Sequence, residues 1–312
     1  MEPHVRDWFE RRLSHSSDWK LSALLDAKAD ASVAVVLPAL NEAGTVGRIV
    51  ERIRRDLVVR HGLVDELVVM DSGSTDSTPQ VAAAAGARVV HREDVLTQFS
   101  PYDGKGEVLW RSLAATTSDV LVFVDSDLRD FSTTFVTGLL GPLLTDATVH
   151  FVKATYDRPV HGSVTPAGGG RVTELVARPL INMYWPDLAG FIQPLGGEYA
   201  ARRSLLERLP FPVGYGVEFG LLVDTVATVG LDAMAQVDLV RRKHRNQSVT
   251  KLGRMAAEIM QVAFDRLERE GRLKTTAPPN TLLTQFERDG SAYRITTTDI
   301  TERERPPLTT LT

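Results

Sequence analysis

The sequence predicts an α/β protein: a mainly parallel β-sheet covered by helices on both faces. Three observations carry this expectation. Short apolar runs rich in β-branched residues recur along the first half of the chain. Segments with apolar residues at helical spacing alternate with them. Polar turns bearing carboxylates directly follow three of the runs, at Pro38 to Glu42, Asp71 to Asp76 and Asp125 to Asp127, where sheets of this kind bind ligands.

Residues 1–30 read as an amphipathic N-terminal helical arm, with Trp8, Leu13, Leu21, Leu24 and Leu25 docked on the main body. Residues 32–37 are a buried strand. Residues 45–57 are a helix, with Val46, Ile49, Val50, Ile53 and Leu57 on one face. Residues 66–71 (ELVVMD) are the second strand and 79–85 a helix, Pro79 suiting its first turn. Then come a strand at 87–91, a helix at 105–115, a strand at 120–125 (VLVFVD), a helix at 135–144 and a strand at 149–156. From about Arg158 glycine and proline become frequent and the alternation weakens. Helices are expected at 205–209, 219–229 and 252–267, and a strand at 233–240. After Lys274 the tail is rich in Thr, Pro and charge, and reads as loosely ordered or as a packing arm. No linker-like stretch separates two cores, so one continuous unit is expected.

Composition narrows the function classes. The 312 residues are 43% hydrophobic and 24% charged, which excludes wholesale disorder and a coiled coil. With no cysteine there is no disulfide framework, thiolate zinc site, iron–sulfur cluster or cysteine nucleophile, and a reducing cytoplasm is compatible. Thirty-six basic and forty acidic residues give a net charge of -4, which does not suggest a nucleic-acid binder. No export signal heads the chain, and its apolar runs fall far short of the roughly 20 residues needed to span a bilayer.

The chemistry-bearing residues cluster after strands. Asp125-Ser126-Asp127 places two carboxylates one residue apart at a strand end. They repel each other unless a cation intervenes, and Mg2+ or Mn2+ bound there neutralises a diphosphate leaving group. A solvated turn is the alternative. Pro38-Ala39-Leu40-Asn41-Glu42 opens a helix and can hold a nucleoside through backbone amides, or simply cap that helix. Ser72, in Asp71-Ser72-Gly73-Ser74-Thr75-Asp76, faces the same crevice, in a loop that is neither a Walker loop nor a GxGxxG fingerprint. Lys105 stands between two glycines and can reach a phosphate, although from these residues alone a surface lysine in a loop is the better reading. Gly170, Arg171 and Thr173, in GGGRVT, combine open backbone, a guanidinium and a hydroxyl at a helix start, suited to an acceptor carrying phosphate and carboxylate. The basic run Arg242-Lys243-His244-Arg245-Asn246 follows a strand, and His244 is a candidate third ligand for the metal at Asp125 and Asp127. Glu218 either contacts sugar or acceptor, or serves the helix dipole at an N-terminus.

Taken together, LPALNE, DSGSTD, DSD, GKGEVLWRSLAAT, GGGRVTELVARPL, QPLGGEYAARR, GYGVEFGLLVDT and KHRN resemble the retaining GT-A nucleotide-sugar transferases that make glucosyl- and mannosyl-3-phosphoglycerate in actinobacteria. The resemblance covers roughly residues 32–246. It implies a GT-A fold with a nucleotide-sugar-binding half at 31–157, an acceptor-binding half at 158–274 and a C-terminal tail at 275–312. It implies UDP-glucose as donor, or GDP-mannose in some members, and 3-phosphoglycerate as acceptor. By similarity Pro38, Ala39, Leu40, Glu42, Ser72, Lys105, Asp125 and Ser126 hold the nucleotide sugar, while Asp127 and His244 bind the metal. Gly170, Arg171, Thr173 and Asn246 hold the acceptor. Arg242 faces the donor diphosphate and Glu218 lies near the sugar, making Asp127, Glu218 and Arg242 the catalytic set. The family is dimeric and cytoplasmic. The chain departs from the pattern at Gly196, where a serine is expected in glucosyl members. Retention without a convincing enzymic nucleophile implies same-face attack within an ion pair, the leaving phosphate accepting the hydroxyl proton. A non-catalytic nucleotide-sugar-binding protein is the competing reading, and it needs no acceptor site. A membrane glycosyltransferase would need an anchor that the sequence does not show.

Overall fold

The computed structural model describes residues 1–160, 163–165, 170–241 and 248–311. The N-terminal arm is α1 (Pro3–Arg12), the short strand β1 (Leu13–His15) and α2 (Leu21–Lys28). Next come β2 (Val33–Ala39), α3 (Val46–Ile53), β3 (Glu66–Asp71), α4 (Thr78–Ala85) and β4 (Arg88–His91), then α5 (Lys105–Ala115), β5 (Val120–Phe123), α6 (Thr134–Thr145) and β6 (Phe151–Val160). The second half comprises β7 (Ser163–Thr165), α7 (Arg178–Tyr184), β8 (Tyr199–Arg202), α8 (Arg203–Leu206), β9 (Phe211–Pro212), α9 (Val217–Val229), β10 (Met234–Arg241) and α10 (Val249–Arg269). The tail forms a hairpin, β11 (Leu282–Asp289) with β12 (Ala292–Asp299), and ends at β13 (Glu304–Arg305).

Nine strands make one sheet in the order β1-β10-β6-β8-β5-β2-β3-β4, with β7 attached to β6. All neighbours along that path are parallel except β8, which runs antiparallel to both β5 and β6. The period of two explains the layering. Ala34 and Val36 of β2 enter one apolar core, with residues of α5, α7, α9 and α10. Val33, Val35 and Leu37 enter the other, against α3, α4 and α6. Both faces are buried, so the strands read as continuous apolar runs rather than alternating ones.

The sequence expectation for β2 to β6 and the helices between them agrees with the structure to within a few residues. Several elements were not read in advance, β8 and β1 among them. β8 (YAAR) has too little β-branched character to signal a strand, yet it fills the centre of the sheet. β1 extends the sheet beyond β10 by pairing Leu13 to His15 with Gln236 to Asp238.

For the tail, read as loosely ordered or as a packing arm, the structure shows the packing arm. Arg305 of β13 is buried and ion-paired to Glu107 of α5 at 2.7 Å, while β13 pairs with β9. Glu304 reaches Arg266 of α10 at 2.5 Å, and the Trp110 indole donates to the Pro306 carbonyl at 2.9 Å. Charged groups therefore dock this segment together with a few apolar anchors, Ile300, Leu308 and Leu311.

Among the described residues, no helix is long and apolar enough to cross a membrane.

Candidate active site

The β2–α3 and β3–α4 turns are laced together. Asn41, in the left-handed region at φ 58°, accepts the Thr75 amide at 2.8 Å through its side-chain oxygen. Ser74 Oγ in turn accepts the Asn41 amide at 3.0 Å. Buried Asp71 accepts the amides of Gly73 and Ser74, which shapes the loop carrying Ser72. The Ser126 hydroxyl donates to the Pro38 carbonyl at 2.7 Å, fixing the Asp-Ser-Asp triplet beside the first of these turns. The structure thus brings Pro38, Ala39, Ser72 and Ser126 to one edge of the sheet. Leu40 is largely exposed there, and Glu42 is half-buried and accepts the Thr45 hydroxyl.

Lys105 lies at the centre of this edge. Its ammonium donates to Asp125 Oδ1 at 2.7 Å and pairs with Glu218 Oε1 at 2.7 Å. Burial alone would drain its charge, but the two carboxylates outweigh that and hold its pKa well above the ordinary lysine value. The flanking glycines have a packing cause. A Cβ on Gly104 or Gly106 would overlap the Pro212–Val213 backbone, whose Val213 carbonyl accepts the Gly106 amide at 2.8 Å. Gly197 is small for a related reason: a Cβ there would overlap the Asp125 carboxylate and the Lys105 ammonium.

Glu218 sits in the first turn of α9, and the loop leading into it is clasped by two carboxylates. Glu302 accepts the Gly214 amide at 2.9 Å and Glu258 accepts the Tyr215 amide at 2.8 Å. Burial, with Glu258 nearby, lifts Glu302 from the ordinary 4.5 to about 7, although the Gly214 amide favours its ionised form. The folded chain therefore binds this proton more tightly than the unfolded chain does. Stability falls as pH rises from about 4.5 through about 7. Glu302→Gln mimics the protonated state, so its melting temperature should exceed that of the parent at pH 8 and match it at pH 5. Thermal unfolding of both proteins across that range is the check, and parallel curves would refute the assignment.

Asp127 is half-buried beyond β5. Gly170 and Arg171 lie at the start of the helical segment that continues through Thr173–Ala177 into α7; Arg171 is exposed and Thr173 is buried. Arg242, His244 and Asn246 lie outside the described residues, as do Gly168 and Gly169. Strand β10 reaches them through an irregularity between Asp238 and Arg241, with Val240 at φ 71°.

Sequence reasoning missed a second polar layer beneath the site. Lys153 and Tyr156 of β6, Gln193, Glu198 and Tyr199 of β8 are all buried. Tyr156 donates to Glu198 at 2.9 Å, and Lys153 donates to the Gly196 carbonyl at 2.7 Å. Lys153 was detectable as a charge inside the apolar run HFVKATY; the tyrosines carried no such mark.

Residues 34–165 match the glycosyl transferase family 2 model. The chain is 50% identical over 306 residues to a glucosyl-3-phosphoglycerate synthase of Mycolicibacterium smegmatis, covering 97% of this chain and 98% of the relative. Mannosyl-3-phosphoglycerate synthase from Rubrobacter xylanophilus superposes with a TM-score of 0.92 at 37% identity, covering 98% of this chain and 99% of that one. Glucosyl-3-phosphoglycerate synthase from Mycobacterium tuberculosis, solved with Mn2+, UDP-glucose and phosphoglyceric acid, superposes at 0.84 with 45% identity, covering 96% and 99%. A laced pair of strand-end turns, a DSD triplet and a lysine clamped between carboxylates thus occur in a chain that matches these proteins almost end to end, and it belongs to the glucosyl-3-phosphoglycerate and mannosyl-3-phosphoglycerate synthase family of GT-A hexosyltransferases.

Proposed function

We propose that this hexosyltransferase moves glucose from UDP-glucose to the 2-hydroxyl of 3-phosphoglycerate, with retention at the anomeric carbon, releasing UDP. One observation carries the reading: Lys105 is clamped by Asp125 and Glu218 at the sheet edge of a chain 45% identical to an enzyme solved with that donor and with phosphoglyceric acid. The nucleotide sugar lies along residues 31–157, against Pro38, Ala39, Leu40, Glu42, Ser72, Lys105, Asp125 and Ser126. The acceptor lies in residues 158–274, against Gly170, Arg171, Thr173 and Asn246.

The donor set fits a hard divalent cation. Asp125 already faces the Lys105 ammonium, which makes Asp127, with its half-buried carboxylate at a strand end, the ligand of the triplet. His244 is the proposed second ligand. The Mycobacterium tuberculosis enzyme has been solved with Mn2+ and with Mg2+. When bound, such a cation neutralises charge on the departing diphosphate. Arg242 and Lys105 add fixed positive charge toward the same oxygens. Glu218 orients the hexose and the incoming hydroxyl, and the anchored acceptor sets that hydroxyl beside the anomeric carbon.

UDP release on mixing donor, acceptor and Mg2+ is the direct test; a protein that binds UDP-glucose yet releases no UDP would be a binder only. Arg171→Ala should raise the acceptor KM roughly 10- to 100-fold, the worth of a charged hydrogen bond, with the donor KM nearly unchanged. Equal effects on both constants would remove Arg171 from the acceptor site.

The GDP-mannose alternative draws on the Rubrobacter xylanophilus structure and on Gly196. A thermal-shift panel of UDP-glucose and GDP-mannose, each with Mg2+ or Mn2+, separates the two. The proposal also includes a homodimer in the cytoplasm. The exposed Phe286, Tyr293 and Ile295 of the β11–β12 hairpin supply apolar surface for a subunit contact, and light scattering reads the mass.

A further inference from the structure

Lys153 lies within β6 and is 1% exposed. A buried ammonium is costly, and an apolar side chain of similar size commonly serves a core as well or better. Its one hydrogen bond among the described residues goes to the Gly196 carbonyl at 2.7 Å, and its Nζ stands 5.0 Å from the centre of the Tyr199 ring. These two contacts satisfy only part of a three-donor group. What surrounds it gives the charge a purpose. Glu218 faces it from α9, Glu198 from the residue before β8 and Asp125 from the turn after β5, with Lys105 of α5 as the one like charge. Tyr199 and Tyr156 complete the shell, and Tyr156 is engaged with Glu198. Removing Lys153 therefore takes one positive charge away from beside these three carboxylates.

The Gly196 carbonyl is a mechanical link as well. Gly197 follows it and lies so close over the Asp125 carboxylate and the Lys105 ammonium that no Cβ fits. Pulling the Gly196 carbonyl down onto Lys153 fixes the height of this turn over the clamped pair.

We propose that Lys153 is a positioning residue for hexosyl transfer, holding the Gly196–Gly197 turn against Asp125 and Lys105 and placing a positive charge beside Glu218 and Glu198 beneath the donor. This rests on the reading that Lys105, Asp125 and Glu218 face the nucleotide sugar.

Burial pulls Lys153 down to about 8, against the pull of Glu218, so its charge is lost within a range where activity can be followed. The experiment compares kcat and both KM values from pH 6 to 9.5 in wild type and in Lys153→Met, with melting temperatures alongside. Wild-type kcat should fall as pH rises through about 8. The methionine variant, which takes a cation away from three carboxylates, should melt below the wild-type temperature yet stay folded, and lose about 100-fold in kcat at pH 7, the scale of a small misplacement of reacting groups, with little change in acceptor KM. The fall near pH 8 should vanish in it. A folded variant with kcat within threefold of wild type and the same pH profile would overturn the proposal. If the variant does not fold, the wild-type profile decides: a flat kcat between pH 7 and 9 rejects it and a fall near 8 upholds it. A wild type that releases no UDP would instead reject the donor reading beneath it.

Discussion

Asp127→Ala should lower kcat by about 1,000-fold or more and leave a residual rate indifferent to Mg2+, Mn2+ or a chelator, because charge neutralisation at a leaving diphosphate is worth several kcal/mol. The turn itself should survive. Ser126 still donates to the Pro38 carbonyl and Asp125 to Val120–Phe123 still run from the clamp back into the sheet, so the melting temperature without metal should shift little. The comparison that matters is binding as well as turnover: UDP should stabilise the parent protein more in Mg2+ than in a chelator, and the alanine variant should show the smaller, metal-independent stabilisation in both. Near-normal turnover in the variant would end the metal assignment to Asp127, and with it the reading of Asp125 as the carboxylate reserved for Lys105.

Much of the fold was legible because β2, β3 and β5 are buried on both faces and therefore have to be written as apolar runs. The site was legible in part for the same reason. Open α/β sheets gather ligands at the carboxyl ends of such runs, so Asp125, Asp127 and the Asn41 and Ser72 turns were marked by position alone. Lys105 stood out through its glycines, but the packing reason for them, the Pro212–Val213 backbone lying across the helix start, comes from residues over a hundred positions later. Glu218 could not be told from a dipole-serving carboxylate, since nothing local in GYGVEF announces a salt bridge to Lys105. The packing arm after Lys274 was one of two readings of the tail, but its partners were illegible for a complementary reason. Arg305, Glu304 and Glu302 act through partners on α5, α10 and the loop before α9, and a sequence scan for apolar periodicity has no sensitivity to anchors made of charge.

Lys105→Met should be damaging to stability and rate together. The Asp125 and Glu218 side chains are only 18% and 7% exposed, and both pair with the Lys105 ammonium. Taking the cation away leaves two carboxylates confronting each other in a poorly solvated edge, and breaking a buried pair from one side costs about 3–5 kcal/mol. Turnover should fall about 100- to 1,000-fold through loss of a charge directed at the diphosphate, with a higher donor KM. The double variant Lys105→Met with Glu218→Gln separates the two effects. Replacing one stranded carboxylate with a neutral amide should restore most of the melting temperature, giving a coupling energy of order 1–3 kcal/mol between the positions, while the rate stays low because neither the ammonium nor the carboxylate is present. If the double variant is as unstable as the sum of its parts, the clamp contributes no shared energy, and Lys105 would have to be explained by its reach toward the ligand alone.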